Sequence, residues 1–143
     1  MVQLVPYLNF PLGVTREAMT FYHSVFGGDL TIASFADFGM SDMPADGTMH
    51  AELKADGFTI MASDAMPGAE NTWGGTRVYC SFMGNELELM TGWFEKLAEG
   101  GNIGMPLVKQ AWGDMFGLCM DKYGIEWMVN VAVPDGWAET GQA

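Results

Sequence analysis

The feature of the sequence that most constrains the fold is an internal repeat that spans almost the whole chain. Gly28 and Gly101 each end an apolar, helix-like segment and lie 73 positions apart, whereas Gly57 and Gly124 each lie in a turn between alternating segments and are 67 positions apart. The shorter second spacing indicates an insertion in a loop of the first copy. Each copy has the pattern of a strand, a helix and three more strands, which leaves one face of its sheet uncovered. Two such copies are expected to face each other and to enclose a cavity.

The first copy is predicted from alternation, apolar periodicity and turn residues. Residues 3–10 alternate as a strand, in which Pro6 is tolerable at a sheet edge or before the strand begins. A helix capped by Thr15 follows and ends at Gly27. The remaining segments are a strand, a loop and a hairpin, over residues 29–38, 39–47 and 48–65.

The second copy repeats this order of elements. Its helix is predicted to be capped at Asn85 and to end at Gly100. Its strands are predicted over residues 76–84, residues 102–110 and a hairpin, 112–131, that turns at DKYG. Between the copies, MPGAENTWGG (66–75) has the composition of a long loop of the kind that covers the mouth of a pocket.

The charge balance excludes several classes of partner. The chain carries a formal net charge of −12 with only six Lys and Arg residues. Nucleic acids and anionic membranes are bound through Lys and Arg, so neither is an expected partner. No apolar run approaches the ~20 residues that span a bilayer, and the opening segment is interrupted by Pro6 and Asn9. We expect a soluble, cytoplasmic protein.

Cysteines and histidines are too few for most kinds of metal site. Cys80 and Cys119 lack metal-type spacing and are predicted to be small buried hydrophobic residues. A catalytic zinc or iron site needs about three protein ligands, and the only histidines are His23 and His50. His23 falls off the apolar stripe of its helix, so we expect it to be solvated. His50 and Glu52 form the only pair that can start a site, and a metal there requires Asp64 or another carboxylate as well. We expect no metal and no cofactor, and the alternative for this pair is a hydrogen bond that sets the histidine tautomer.

Short motifs in both copies point to a known family. The chain resembles the vicinal oxygen chelate superfamily, and more narrowly the PhnB-like branch of the glyoxalase and bleomycin-resistance proteins, in PYLNF, FYHSVFGG, MHAEL, TIMASD, WGDMFG and DKYGIEWMVN. The resemblance runs from about residue 5 to residue 131. It implies an α+β fold in which two paired βαβββ modules form an open barrel-like sheet with helices outside. It further implies one domain over residues 1–143, with modules at about 1–66 and 74–134 and a short C-terminal tail, and commonly a homodimer.

The resemblance also locates where the metal-using relatives hold their ion. Transferred through the helices and turns, the four ligand places fall at or beside Val5, Met61, Arg77 and Met128. None of these suits a hard divalent ion, because valine has no donor, arginine is a cation and thioethers prefer soft metals. This departure from the family pattern argues against glyoxalase, dioxygenase and epimerase activities.

The four places that the resemblance implies mark the inward side of four strands, and side chains two positions apart on a strand share a face. His50 and Glu52 are expected to point inward because Met49, Ala51 and Leu53 suit the side that packs on the helix. The predicted ligand-binding residues are Tyr7, Asn9, His50, Glu52, Met61, Arg77, Tyr79, Met128 and Asn130. An inward Arg77 must either hold an anion or form an internal salt bridge with Glu52. The opposite alternation places Trp127 on the helix side or at a dimer contact, whereas Trp112 and Phe116 suit a pocket mouth or a subunit interface.

Three functions are consistent with these residues. The first is a metal-free protein that binds a small molecule. The second is an enzyme, with or without a metal, that uses His50 and Glu52. The third is a structural or regulatory dimer whose cavity is filled by its own side chains.

Overall fold

The computed structural model describes residues 3–65 and 78–134 of the chain. The chain divides into two compact units, Met1–Trp73 and Gly74–Ala143. The loop predicted at 66–75 and Arg77 lie outside the described residues. Within the described ranges, neither the length nor the hydropathy of any helix suffices for a membrane crossing.

The first unit holds a four-stranded sheet with strand order β1-β4-β3-β2 and one helix, α1. Its elements are β1 (Tyr7–Phe10), α1 (Thr15–Phe26), β2 (Asp29–Ser34), a short 3-10 helix (Ala36–Phe38), β3 (Thr48–Ala55) and β4 (Phe58–Asp64). Strand β1 runs parallel to β4, and the other neighbours are antiparallel. Pro6 precedes β1, so the sheet loses no ladder N–H, and the Pro6 carbonyl accepts the Met61 N–H at 3.0 Å.

The second unit repeats this topology with strand order β5-β8-β7-β6. Its elements are β5 (Cys80–Gly84), α2 (Leu87–Ala98), β6 (Asn102–Lys109), β7 (Met115–Met120) and β8 (Glu126–Val131). Again the first strand of the unit is parallel to the last, and the other pairs are antiparallel. The predicted α+β fold built from two βαβββ repeats is confirmed, and the two sheets are open rather than closed into barrels.

Each helix covers one face of the sheet in its own unit. In the first unit, α1 buries Ala18, Met19, Tyr22 and Val25. The strand residues of the same core are Ala51, Leu53, Ile60 and Ala62, all at most 3% exposed. Full burial of a large aliphatic or aromatic side chain stabilises a fold by roughly 1.5–3 kcal/mol, so this face is the main source of stability. We call the other face of each sheet its open face.

Neither predicted side-chain cap is present. At the start of α1, a carboxylate from a distant part of the chain accepts the backbone N–H groups instead. Thr15 is the first residue of α1, and its buried hydroxyl has no hydrogen-bond partner among the described residues. The carboxylate of Asp64, at the end of β4, instead accepts the N–H groups of Gly13 and Thr15 at 2.9 and 3.2 Å. Helix α2 begins at Leu87 without a side-chain cap, so Asn85 does not cap it. Tertiary packing brings Asp64 to the helix start, which local sequence cannot indicate.

The strand predicted over 29–38 ends four residues early. The Ser34 N–H donates to Asp37 Oδ2 at 2.8 Å, and the Asp37 N–H donates to Ser34 Oγ at 3.1 Å. These two hydrogen bonds turn the chain into the 3-10 helix. The hydrogen bond from the Ser34 backbone N–H, followed by that from the Ser34 side chain, lowers the pKa of the Asp37 carboxyl below its ordinary value. A register shift next to Ser34 also leaves Met49 half-buried at a β-bulge, rather than on the helix-covered face with Ala51.

The DKYG turn of the second hairpin is organised by a buried carboxylate. Asp121 is 2% exposed, and its Oδ1 accepts the N–H groups of Tyr123 and Ile125 at 2.8 and 3.1 Å. Its Oδ2 accepts the indole N–H of Trp127 at 2.8 Å, and Trp127 stacks on Phe82 with ring centroids 5.4 Å apart. Of the two placements expected for Trp127, the helix side or a dimer contact, the structure has the helix side, since Trp127 is 1% exposed and shares its face with the buried Val129. The Asp121 carboxylate and the buried Trp127 ring therefore stabilise the second hairpin.

Both cysteines lie on the helix-covered face of the second sheet. Trp127 lies on β8 between Cys80 on β5 and Cys119 on β7, and each cysteine is directly opposite it in the sheet register. Burial raises the pKa of the Cys80 thiol. Burial, reinforced by the negative charge of Asp121, raises the pKa of Cys119 from 9.0 to about 11. The thiolate, which is the reactive form, is accordingly disfavoured at both positions.

We expect the Cys119 thiol to be inert in the folded protein at pH 8. In a Cys80→Ser variant, alkylation by iodoacetamide should be at least about 100-fold slower in buffer than in urea, because a shift of about two pKa units removes that share of thiolate. Because the folded pKa lies above the unfolded one, the contribution of Cys119 to stability is complete below pH 9.0 and is lost as the pH rises towards 11. Equal alkylation rates in the two conditions would contradict the assignment.

Candidate functional site

The open face of the first sheet carries most of the predicted ligand-binding residues of this unit. Strand pairing sets Tyr7 opposite Met61, and Met61 opposite Glu52, so the three side chains form one row across β1, β4 and β3. In the next row Asn9 lies opposite Ser63, whose hydroxyl is 3.5 Å from Asn9 Oδ1. The register thus brings these side chains to one face, as alternation predicts.

A chain of four polar side chains runs along this open face. The Tyr7 hydroxyl is 3.0 Å from His50 Nδ1, and the two rings lie 5.7 Å apart. His50 Nε2 is 4.0 Å from Glu52 Oε1, and the other oxygen of Glu52 is 3.4 Å from Lys54 Nζ. The hydrogen bond predicted between His50 and Glu52 is therefore absent, because 4.0 Å exceeds hydrogen-bond length, and Tyr7 holds the ring instead. Sequence reasoning also omitted Lys54 from the site, although it shares the alternation of Glu52.

The open face of the second sheet is more apolar. Met128 pairs with Ser81 and Leu118, and Asn130 pairs with Met83 and Phe116. Met83 is 76% exposed, and Leu118, Phe116 and Met128 share this face. The polar groups on it include Ser81 and the Asn130 side-chain amide, which donates to Asp114 Oδ2 at 3.0 Å. Asp114 could not be identified as a site residue from the sequence, because it lies just before β7, whereas its partner Asn130 lies on β8.

Two further predicted residues lie apart from these rows. Tyr79 precedes β5 and is half-buried. Trp112 is 60% exposed and makes an edge-to-face contact with Phe116 at 5.5 Å. His23, expected to be solvated, places Nε2 3.0 Å from the Gly28 carbonyl at the end of α1, a position that supports the helix terminus and leaves no role at the open face.

The residues at the family's metal positions do not fit a metal ion. Within residues 3–65 and 78–134, no three His, Cys, Asp or Glu side chains are grouped closely enough to hold one. Of the four places that the resemblance implies, Arg77 lies outside the described residues and Val5 has no donor. Met61 and Met128 are thioethers, which prefer soft metals, and the residues opposite them in the sheet register are Tyr7 and Ser81. Asp64 cannot complete a site with His50, because its carboxylate is buried towards α1 and accepts three backbone N–H groups.

The first unit also contains a cleft that sequence reasoning missed. It has a volume of about 380 Å³ and is lined by Leu12, Gly13, Arg16, Pro44, Asp46, Gly47 and Thr48. These residues come from the loop before α1 and its first turn, and from the loop before β3 and its first residue. Alternation and helical periodicity do not indicate that the two loops meet. The cleft lies beside the Asp64 hydrogen bonds, since Gly13 and Thr48 contribute to both.

Known proteins share this sequence and fold over almost their full length. Residues 5–129 match the Glyoxalase/Bleomycin resistance protein/Dioxygenase superfamily. The chain is 30% identical over 141 residues to Protein YjdN of Escherichia coli (strain K12), covering 90% of this chain and 94% of that protein. The crystal structure of protein PA1353 from Pseudomonas aeruginosa is 37% identical with a TM-score of 0.77, covering 94% of this chain and all (100%) of that one.

A PhnB protein from Bacillus cereus has a similar structure as well. It is 25% identical with a TM-score of 0.71, and the match covers 92% of this chain and 100% of that one. The resemblance predicted from the motifs, including its PhnB-like branch, is confirmed. With a family match across most of the chain and relatives of the same fold and length, the protein belongs to the Glyoxalase/Bleomycin resistance protein/Dioxygenase superfamily.

Proposed function

We propose that this protein binds a small molecule without a metal, and that the ligand contacts the open faces of its sheets. In the first unit the contacts are Tyr7, Asn9, His50, Glu52 and Met61. In the second unit they are Met128, Asn130 and Tyr79, and Arg77 is retained from the sequence prediction. We also propose that the protein is a homodimer, as the family resemblance implies.

The observation that carries the proposal is the Tyr7 to His50 hydrogen bond of 3.0 Å beside Met61. Polar groups with fixed orientation next to an adaptable thioether are the mixture that small-molecule sites use for specificity and contact area. Tyr7 remains 47% exposed, so the network is within reach of a ligand rather than consumed by the core. The misfit of Met61 and Met128 to hard metals supports a metal-free mode.

We expect protein purified without chelator to contain less than about 0.1 equivalent of zinc, nickel, manganese or iron. A catalytic site needs about three protein ligands, and the described residues group no three candidate side chains. Elemental analysis of the wild type and of His50→Ala and His23→Ala provides the measurement. The two variants form a matched pair, since only His50 lies on the open face. Stoichiometric metal that is lost in His50→Ala and kept in His23→Ala would overturn the metal-free proposal.

A second function is supported by the same hydrogen bond. His50, held by Tyr7 and next to Glu52, has the arrangement of a positioned acid–base group, which typically contributes 10²–10⁴-fold to a rate. Conversion of a bound compound by the wild type that falls by about that factor in His50→Ala, and not in His23→Ala, would favour an enzyme over a binding protein.

A further inference from the structure

The direction of the hydrogen bond between Tyr7 and His50 determines whether the Tyr7 hydroxyl offers a ligand a donor or an acceptor. A tyrosine hydroxyl has one proton to donate, and a neutral imidazole has one donor nitrogen and one acceptor nitrogen. The contact between Tyr7 and His50 Nδ1 at 3.0 Å is therefore a hydrogen bond in one of two directions, and the proton on the imidazole decides which.

Glu52 decides the position of that proton. His50 Nε2 lies 4.0 Å from Glu52 Oε1, and Lys54 lies 3.4 Å from the other carboxylate oxygen. A carboxylate oxygen 4.0 Å away is beyond hydrogen-bond length, but its negative charge still favours an N–H on Nε2 over an unprotonated nitrogen, because the N–H hydrogen carries partial positive charge and the lone pair partial negative charge. The neutral ring accordingly carries its proton on Nε2. Nδ1 is then the acceptor, and Tyr7 must donate to it.

We infer that Tyr7 selects ligands that bring an O–H or N–H donor. Its only proton is given to His50, so the hydroxyl meets the solvent as a hydrogen-bond acceptor. The inference rests on the proposed function, because it requires that a ligand lies on this open face. A ligand that offers only acceptors at this point meets oxygen lone pairs and gains no hydrogen bond.

The neighbours of Tyr7 narrow the ligand class further. Met61 lies directly opposite Tyr7 in the sheet register, and the His50 ring is tilted by 35° to the Tyr7 ring. Thioether and aromatic surfaces pack well against a flat ring. The class that fits best is a small aromatic molecule with a phenolic O–H or a ring N–H.

Phenol and anisole test the inference, because they share a shape and differ in the donor. In NMR titrations of the wild type we expect phenol to bind about five- to tenfold more tightly than anisole, the range of one neutral hydrogen bond. In Tyr7→Phe the two should bind equally, with the affinity for anisole unchanged. Tyr123→Phe, in the turn of the second hairpin, should keep the wild-type preference.

A second readout needs no ligand. The nitrogen-15 chemical shifts of the His50 ring at pH 8 should show a protonated Nε2 and an unprotonated Nδ1 that accepts a hydrogen bond. In Tyr7→Phe, only the Nδ1 chemical shift should move, towards that of an unprotonated imidazole nitrogen without a hydrogen bond. A proton on Nδ1 overturns the inference. Equal binding of phenol and anisole to the wild type also overturns it and leaves the proposed function standing. If neither probe shifts a resonance of the open face at 20 mM while the tautomer is as expected, the proposed ligand site is the part that fails.

Discussion

Replacing Asp64 with alanine is expected to lower the free energy of unfolding by about 4 kcal/mol. The carboxylate is 3% exposed and accepts the N–H groups of Gly13, Thr15 and Thr48 at 2.9, 3.2 and 2.9 Å. Hydrogen bonds to a charged group contribute about 1.5–3 kcal/mol each, and three that share one acceptor contribute less than their sum. Alanine also leaves the N–H groups of the buried residues Thr15 and Thr48 without their carboxylate acceptor.

Urea denaturation of the wild type and variants measures this loss. Asp42→Ala is the matched control, because Asp42 is an exposed loop residue and its removal should change the free energy by less than about 0.5 kcal/mol. Asp64→Asn should fall between the two, since it keeps one acceptor oxygen. A loss below about 1 kcal/mol in Asp64→Ala would show that the three hydrogen bonds do not hold the unit together. Thr48 begins β3, which carries His50 and Glu52, so this carboxylate also supports the candidate site.

Replacing Gly101 with alanine should destabilise the second unit by about 3 kcal/mol, the upper end of the usual cost of overpacking. An added Cβ would collide with the Met120 carbonyl oxygen and would lie 2.9 and 3.0 Å from the carbonyl carbon and Cα of Asp121. These are backbone atoms of the end of β7 and the turn, so they cannot move aside as a flexible side chain can. Gly28, the equivalent residue of the first repeat, meets the backbone of Lys54 and Ala55 in the same way.

Gly92→Ala is the control that isolates this collision. Gly92 lies inside α2 with nothing within 4 Å of an added Cβ, so alanine there should stabilise the protein by about 0.5–1 kcal/mol through helix propensity. Thermal and urea unfolding of the two variants should therefore move in opposite directions. Similar stabilities for Gly101→Ala and Gly92→Ala would mean that the backbone contact at Gly101 relaxes without cost.

These two effects show which parts of the fold could be predicted from the sequence. The repeat, the two helices and the hairpins follow from local patterns, because periodicity and turn chemistry act within a few residues. Gly57 and Gly124 illustrate this, since both adopt the positive φ of a turn, at 92° and 88°. The close approach at Gly28 and Gly101 could be located by their spacing, but the atoms that exclude a Cβ belong to a strand end far along the chain.

The candidate site divides in the same way. Alternation placed Tyr7, Met61 and Glu52 on one face, and the strand register sets them in a single row. It did not show that the Tyr7 hydroxyl would reach His50, 43 residues away, because this contact requires β1 and β3 to flank β4. The sequence also predicts a hydrogen bond between His50 and Glu52, but in the structure His50 Nε2 lies 4.0 Å from Glu52 Oε1.

The buried carboxylates are the clearest difference between the two kinds of information. In the sequence Asp64 is the end of a hairpin and a possible metal ligand, and Asp121 is a turn residue. Both are at most 3% exposed and accept backbone or indole N–H groups. By itself the sequence determined the element order, the repeat, the family and the face on which most strand residues point, because these depend on local periodicity and motif. Met49, at the β-bulge, is an exception. Only the tertiary structure decided which donors meet at each carboxylate and which partner orients His50, because hydrogen bonds between distant segments depend on strand order and register.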